Sequence, residues 1–217
     1  MCRALFIVFE GIDGSGTTTQ CDLLASYIQE DLGVQVVQTR EPGGTPLAEK
    51  IRGLVLDPKA GEMHFSTELF LYAASRSQHV EELIKPALRA GRPVICDRFT
   101  DSTLAYQGYG RGLDITYITQ VNGMAAAGCL PDLTIYLDLP VEVARERRRQ
   151  RASRPDRLEA AGEELQRRVC RGYKEIACQK PGKSLMLDAT RGVGELAVEV
   201  RDKLSARWPG FPFENQK

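Results

Sequence analysis

Residues 11–20 read GIDGSGTTTQ, and this stretch decides the fold. It follows RALFIVFEG (residues 3–11), a run rich in β-branched and aromatic residues. It leads into residues 17–32, where Leu23, Leu24, Tyr27, Ile28 and Leu32 fall at helical spacing. A buried strand, a glycine-rich turn and a helix, in that order, make a phosphate-binding loop. Gly11, Gly16 and Thr18 match the pattern G-x-x-x-x-G-K-[ST], but Thr17 stands where the pattern has lysine. The glycines let the backbone approach phosphate oxygens, successive N–H groups form an anion nest, and the helix start adds its positive end. None of these needs the lysine. Gly11, Ile12, Asp13, Gly14, Ser15, Gly16, Thr17, Thr18 and Thr19 are therefore expected to cradle a nucleotide's phosphates, with the Thr18 hydroxyl on Mg²⁺.

Catalysis is a separate question, because that lysine is aimed at charge developing in the transition state. Losing one such donor costs roughly 2.7–4 kcal/mol, a rate factor of about 10²–10³. An arginine finger is worth about 10³–10⁵, so one well-placed arginine can offset the loss. RERRRQRASRPDR (residues 145–157) carries Arg145, Arg147, Arg148, Arg149, Arg151, Arg154 and Arg157. At about 100° per residue these point to several faces of a helix, which Ser153 and Pro155 then end. The stretch reads as a solvated helix face, a nucleic-acid contact, or a lid that closes over phosphates. Zero formal net charge and the lack of interleaved aromatics weigh against nucleic acid. A phosphate loop on the same side of the sheet favours the lid. Arg149, Arg151 and Arg154 are its candidates for catalysis, together with Arg98.

The chain has 217 residues, enough for one compact domain, and its 42% hydrophobic and 27% charged residues are ordinary for a globular protein. ALFIVF is too short to span a bilayer and lacks the layout of a signal peptide, so membrane insertion and export are not expected and the cytoplasm is. Six scattered cysteines read as free thiols in a reducing compartment, and two histidines, His64 and His79, are too isolated for a metal cluster.

Further strands are expected at VQVVQTRE (34–41), PVICDR (93–98), DLTIYLDL (132–139) and SLMLDA (184–189). Helices are expected at 45–56, at 66–90 with an interruption at Pro86, and at 141–151, 160–179 and 193–207. Strands alternating with helices give an α/β fold, a five-stranded parallel sheet flanked by helices on both faces. The tail WPGFPFENQK (208–217) is either loose or packs its aromatics on the body. Ligands in such folds sit beyond the carboxyl ends of the strands. TREPGGTPLAEKIR (39–52) lies there, with Arg40 and Arg52 able to hold a second anion. So does CDRFTDSTLAYQGYGRGL (96–113), with Asp97 placed to orient Mg²⁺ and Arg98 to grip a phosphate. A local salt bridge is the alternative for that pair. Two anion sites side by side belong to an enzyme passing phosphate between two phosphorylated partners.

These motifs resemble those of the bacterial thymidylate kinase family, over about residues 5–205. The resemblance rests on FEGIDGSG, TREPGGTPLAEKIR, LFLYAASR, DRFTDSTLAYQGYGRG, PDLTIYLDLP and DRLE. It implies a P-loop kinase fold, one nucleoside monophosphate kinase-like domain over 1–217 with a mobile lid at about 145–160. It implies phosphorylation of dTMP to dTDP by ATP and Mg²⁺, for dTTP synthesis, by a homodimer with no nucleic-acid or membrane partner. Arg40, Arg52 and Arg98 would hold the dTMP phosphate, Tyr72 would stack on thymine and Arg76 would bond O4. Thr103 and Gln107 would reach other base edges, Tyr106 would lie against the sugar, and Asp13 and Glu41 would sit near sugar or metal. Independently, thymine needs polar groups at O4 and N3 and a flat partner, for which Arg76, Thr103 and Tyr72 are suitable types. Core packing of Tyr72 and a surface ion pair of Arg76 are the plainer readings. The family has lysine at Thr17, which leaves open a catalytically impaired nucleotide-binding pseudokinase. A P-loop kinase for a different nucleoside monophosphate is the other alternative.

Overall fold

The structure is a computed structural model that describes residues 2–60, 62–150, 157 and 162–215. Its centre is strand β2 (Phe6–Gly11), which follows a short β1 (Cys2–Ala4). Every residue of β2 is buried, as a continuous apolar run in the middle of a parallel sheet requires. Its side chains alternate: Leu5, Ile7 and Phe9 join the core on one face of the sheet, Phe6 and Val8 the core on the other. Each such burial stabilises the fold by about 1.5–3 kcal/mol, so a one-residue slip of β2 would misplace a whole row on both faces.

The chain continues through α1 (Thr17–Ser26), β3 (Val37–Arg40), α2 (Pro46–Leu56), α3 (Phe65–His79), α4 (Lys85–Arg89) and β4 (Val94–Asp97). Then come α5 (Thr100–Thr103), α6 (Ile115–Ala126), β5 (Leu133–Asp138), α7 (Val141–Gln150), α8 (Glu163–Cys178), β6 (Ser184–Asp188), α9 (Val193–Arg207) and β7 (Phe213–Asn215). Strands β3–β4–β2–β5–β6 form the five-stranded sheet, parallel throughout, with Phe6 opposite Val94 and Ile7 opposite Leu133. The expected α/β architecture is thus the observed one. All these strands end on one edge, where the phosphate loop, the loop after β3 and the loop after β4 meet.

One local expectation is corrected, one stretch of helix was not foreseen, and one alternative is decided. The helical run does not break at Pro86: α3 widens into a π-helical turn at Val80–Ile84, which leads into α4. Pro86 sits at the start of α4, where its missing N–H and its ring are tolerated. The segment after β4 is not open loop. It holds α5, a π-helical continuation over Leu104–Gly110, and α6. Three glycines and two β-branched runs hid these helices, whereas burial of Ala105, Tyr106 and Gln107 sustains them. Gly108 lies close under the tip of the Ile115 side chain, which a Cβ there would push aside. Finally, the tail is ordered enough to form β7, which pairs antiparallel with β1, while Trp208 and Phe211 pack on the main core. Among the described residues no helix is long and apolar enough to cross a membrane.

Candidate active site

A cleft of about 250 Å³ opens at the carboxyl edge of the sheet. Its donor end is the loop between β2 and α1. Gly14 and Gly16 have φ of +97° and +93°, a backbone that only glycine adopts without strain. A Cβ on Gly14 would also come within 2.8 Å of the Ala144 carbonyl oxygen, so α7 is seated directly against the loop. Asp13, Gly14, Gly16, Thr17 and Thr18 line the cleft. Gly11 and Ile12 instead anchor the loop in the core, buried Ser15 has no side-chain partner among the described residues, and Thr19 faces solvent outside the cleft.

Thr18 Oγ1 donates to Asp97 Oδ2 at 2.5 Å across the cleft floor. The other Asp97 oxygen, Oδ1, is buried and carries no hydrogen bond among the described residues. A hydroxyl and a carboxylate with a spare oxygen are hard donors, the set that Mg²⁺ takes together with substrate phosphates and water. The expected pair, Thr18 and Asp97, therefore fits the ion.

Arg98 follows β4 with φ +71°, a left-handed conformation that costs a side-chain-bearing residue of order 1–3 kcal/mol. The surroundings hold it there. Arg98 N donates to Phe9 O at 2.8 Å, and the next amide, Phe99 N, donates to Glu10 Oε1 at 2.8 Å. The kink aims the guanidinium into the cleft, where Nη2 meets Asp13 Oδ1 at 2.7 Å and the group lies 5.4 Å from the Tyr106 ring centre. Tyr106 donates its hydroxyl to Asp13 Oδ2 at 3.0 Å. Burial works against the Arg98 charge, but Tyr106 and Asp13 hold its pKa well above the ordinary value.

Behind Arg98 lies a group that sequence reading missed. Glu10 is fully buried and accepts from Phe99 N, Ser102 N at 3.0 Å, Ser102 Oγ at 2.5 Å and Tyr173 OH at 3.0 Å. Ser102 and Tyr173, having donated to Glu10, turn lone pairs toward Arg98 Nη1 at 3.3 and 3.2 Å. Burial, and next Asp101, push the Glu10 pKa up to about 7. Glu10 lies in the quoted FEG, but a polar residue at a strand's end does not by itself announce burial.

The acceptor end is held more tightly. Arg76 is 2% exposed and is no surface ion pair. It donates to Glu41 Oε2 (2.7 Å), Asn122 Oδ1 (2.6 Å), Phe99 O (3.0 Å) and Thr103 Oγ1 (2.9 Å). One of its five N–H groups, on Nη1, remains without a partner among the described residues. Glu41, at the end of β3, is shared with buried His79, whose other ring nitrogen meets Thr39 Oγ1 at 2.7 Å. Glu41 is therefore first a counter-ion for Arg76. Tyr72 and Gln107 complete this end; both are buried and both line the cleft. Arg40 and Arg52 border the cleft between the two ends, Arg40 paired with Glu49 at 3.0 Å and Arg52 donating to Pro42 O at 2.8 Å.

The described lid arginines differ in where they point. Arg149 is 79% exposed and pairs with Glu146 one turn back. Arg148 Nη1 donates to Asp13 O at 2.5 Å, and Arg147 reaches Ala189 O at 2.9 Å and Gly14 O at 3.5 Å. The helix explains it. Val141 and Ala144 are buried against the body, and positions 147 and 148 continue that stripe while 149 lies across from it. That apolar pair was visible in the sequence. Arg151 and Arg154 lie outside the described residues. Arg157, in the same stretch, donates to Val55 O at 3.1 Å and pairs with buried Glu68.

Comparison with known proteins identifies the family. A family model described as thymidylate kinase matches residues 9–200. A thymidylate kinase of Pelotomaculum thermopropionicum is 52% identical over 198 residues, covering 91% of each chain. One of Geotalea uraniireducens is 45% identical and covers 93% of this chain and 97% of the relative. The crystal structure of thymidylate kinase from Ehrlichia chaffeensis superposes with a TM-score of 0.75 at 39% identity, covering 92% of this chain and 98% of that one.

Proposed function

The chain belongs to the thymidylate kinase family, and on that premise we propose that it transfers the γ-phosphoryl group of ATP to dTMP, giving dTDP and ADP. The observation that carries this reading is one continuous cleft, from Thr18 at the head of α1 to Gln107, with Arg98 between. The donor phosphates lie on the backbone of residues 13–18, and the acceptor phosphate lies among Arg40, Arg52 and Arg98. A dTMP phosphate oxygen attacks the γ-phosphorus in line as the bond to the β-bridging oxygen breaks. That nucleophile is already ionised at neutral pH, so the protein's task is positioning and charge neutralisation. Thr18 and Asp97 would hold Mg²⁺, which when bound spreads positive charge over the β- and γ-oxygens. Tyr72 offers its ring to the base, Tyr106 stands by the sugar, and Asp13 fixes both Tyr106 and Arg98.

The missing lysine is offset from α7. Arg148 already touches the loop carbonyl of Asp13, and a γ-phosphate entering the loop would compete for it as a far stronger acceptor. The enzyme works as one unit across 1–217, in the cytoplasm, as a homodimer. An exposed apolar patch supports the last point: Phe70 on α3 packs edge-on to Tyr117 on α6, and Met124, two turns on, is 75% exposed. Sedimentation equilibrium at micromolar concentration checks it, and a monomer there ends that part of the reading.

The activity is tested by ADP release with ATP and Mg²⁺, offering dTMP, dUMP, dGMP and dCMP in turn. Turnover with dTMP above all others is the expected result. Tight binding of ATP and dTMP by calorimetry without turnover would make the protein a nucleotide-binding pseudokinase instead.

A further inference from the structure

We infer that Glu68 sets the base specificity of the acceptor site, by fixing which end of the Gln107 amide faces the cleft; this rests on the dTMP reading above. Glu68 is a fully buried residue of α3 and does not line the cleft. Its Oε1 accepts from Gln107 Nε2 at 2.7 Å. Its Oε2 is paired with Arg111 at 3.4 Å and with Arg157. A carboxylate held between two guanidiniums offers only lone pairs. The amide nitrogen of Gln107 must therefore turn toward Glu68, since the reverse orientation would press two acceptors together in a buried place. Gln107 lines the cleft, and its amide oxygen carries no hydrogen bond among the described residues.

The base end thus presents both kinds of group: donors on Arg76 and the Thr103 hydroxyl, and the acceptor amide oxygen of Gln107. A pyrimidine with a carbonyl at C4 and a hydrogen on N3 complements both. Cytosine has an amino group at C4 and a lone pair at N3, and so opposes both. Sites that would leave buried polar groups unpaired reject the wrong ligand strongly. Glu68 is accordingly a positioning residue, acting through Gln107 without touching substrate.

Full-length wild type and variants are assayed with dTMP, dUMP and dCMP, after thermal melts establish that each is folded. In Glu68→Gln the two arginines take the new amide's oxygen, its nitrogen faces Gln107, and the Gln107 amide turns over. The dTMP to dCMP ratio of kcat/KM is then expected to fall at least about tenfold. The dTMP to dUMP ratio stays constant, because uracil keeps both the C4 carbonyl and the N3 hydrogen. Glu68→Asp retains a carboxylate and should recover most of the discrimination. Where Glu68→Gln does not fold, Glu68→Met frees the amide without supplying a donor, and a smaller fall in the same ratio is expected. A folded variant whose dTMP to dCMP ratio is unchanged overturns the inference, and so does a proportional loss with all three acceptors. Failure of the wild type to phosphorylate dTMP would overturn the functional reading instead.

Discussion

At the acceptor end of the cleft, Arg76 commits four N–H groups to protein partners, and Glu41, His79, Thr103 and Asn122 are all buried around it. At the donor end, the loop relies on backbone and helix terminus, Thr18 is exposed, and among the described residues Arg148 hydrogen-bonds only a carbonyl. The acceptor end is preorganised: its polar groups hold one another in place before any nucleotide arrives. The donor end is looser, and on the proposed reading its positive charge would come from side chains that change partners when phosphate enters. The difference assigns specificity to the first region and rate to the second.

Arg98 joins the two ends, so its removal should have the largest effect. Arg98→Ala is expected to lower kcat/KM for dTMP by about 10²–10³, as loss of one preorganised charged donor does. Steady-state kinetics should show both a higher KM and a lower kcat. Arg98→Gly should lose the same activity yet be more stable than Arg98→Ala by about 1 kcal/mol, because φ +71° suits glycine. Equal stability of the two variants would mean that the kink stores no strain.

The donor end is tested by comparing neighbours on α7. Arg148→Ala should reduce kcat by about 10²-fold with little change in KM for dTMP. Arg149→Ala should stay within about threefold of wild type, since surface ion pairs contribute little. The reverse order would return catalysis to the exposed face of the helix and undo the assignment made from the Val141–Ala144 stripe.

Glu10 links this contrast to pH. Its folded pKa is about 7, above the ordinary 4.5. Between those values the folded protein holds a proton that the unfolded chain has released. Stability therefore falls as pH rises from about 4.5 to 7 and this contribution is flat above. Glu10→Gln carries no such proton. From pH 5 to pH 8 the variant should gain on wild type by on the order of 2 kcal/mol in urea unfolding. Parallel curves for the two proteins would show that the carboxyl is ionised throughout.

The fold and most of the acceptor site could be read before the structure was known. Periodicity and turn residues placed all five sheet strands, because buried parallel strands are apolar runs of limited length. Arg40 and Arg98 drew notice because they stand just past strand ends and Arg52 because it lies in the same motif as Arg40, whereas Arg76, on α3, came from the family resemblance; all four line the cleft. What escaped were the groups behind them. Glu10, Glu68, His79 and Asn122 are polar residues whose burial depends on contacts 35 or more positions away. The helices between Thr100 and Ala126 escaped for the same reason, being sustained by packing against a poor intrinsic propensity.

The mildest test concerns Thr17, buried at the loop's end with its side chain toward the cleft. Thr17→Lys restores the ammonium of the general pattern, but into a site where Arg148 already supplies charge. The two cations would act on the same oxygens, so their effects should not add. A gain in kcat of about tenfold is expected, below the 10²–10³ of a site lacking any substitute. KM for dTMP should hardly move, since the acceptor end keeps its own network. In the Arg148→Ala background the same substitution should give a much larger gain, because nothing then shares its work. If the gain is the same in both backgrounds, Arg148 and residue 17 act on different charges, and the donor end is not compensated from α7.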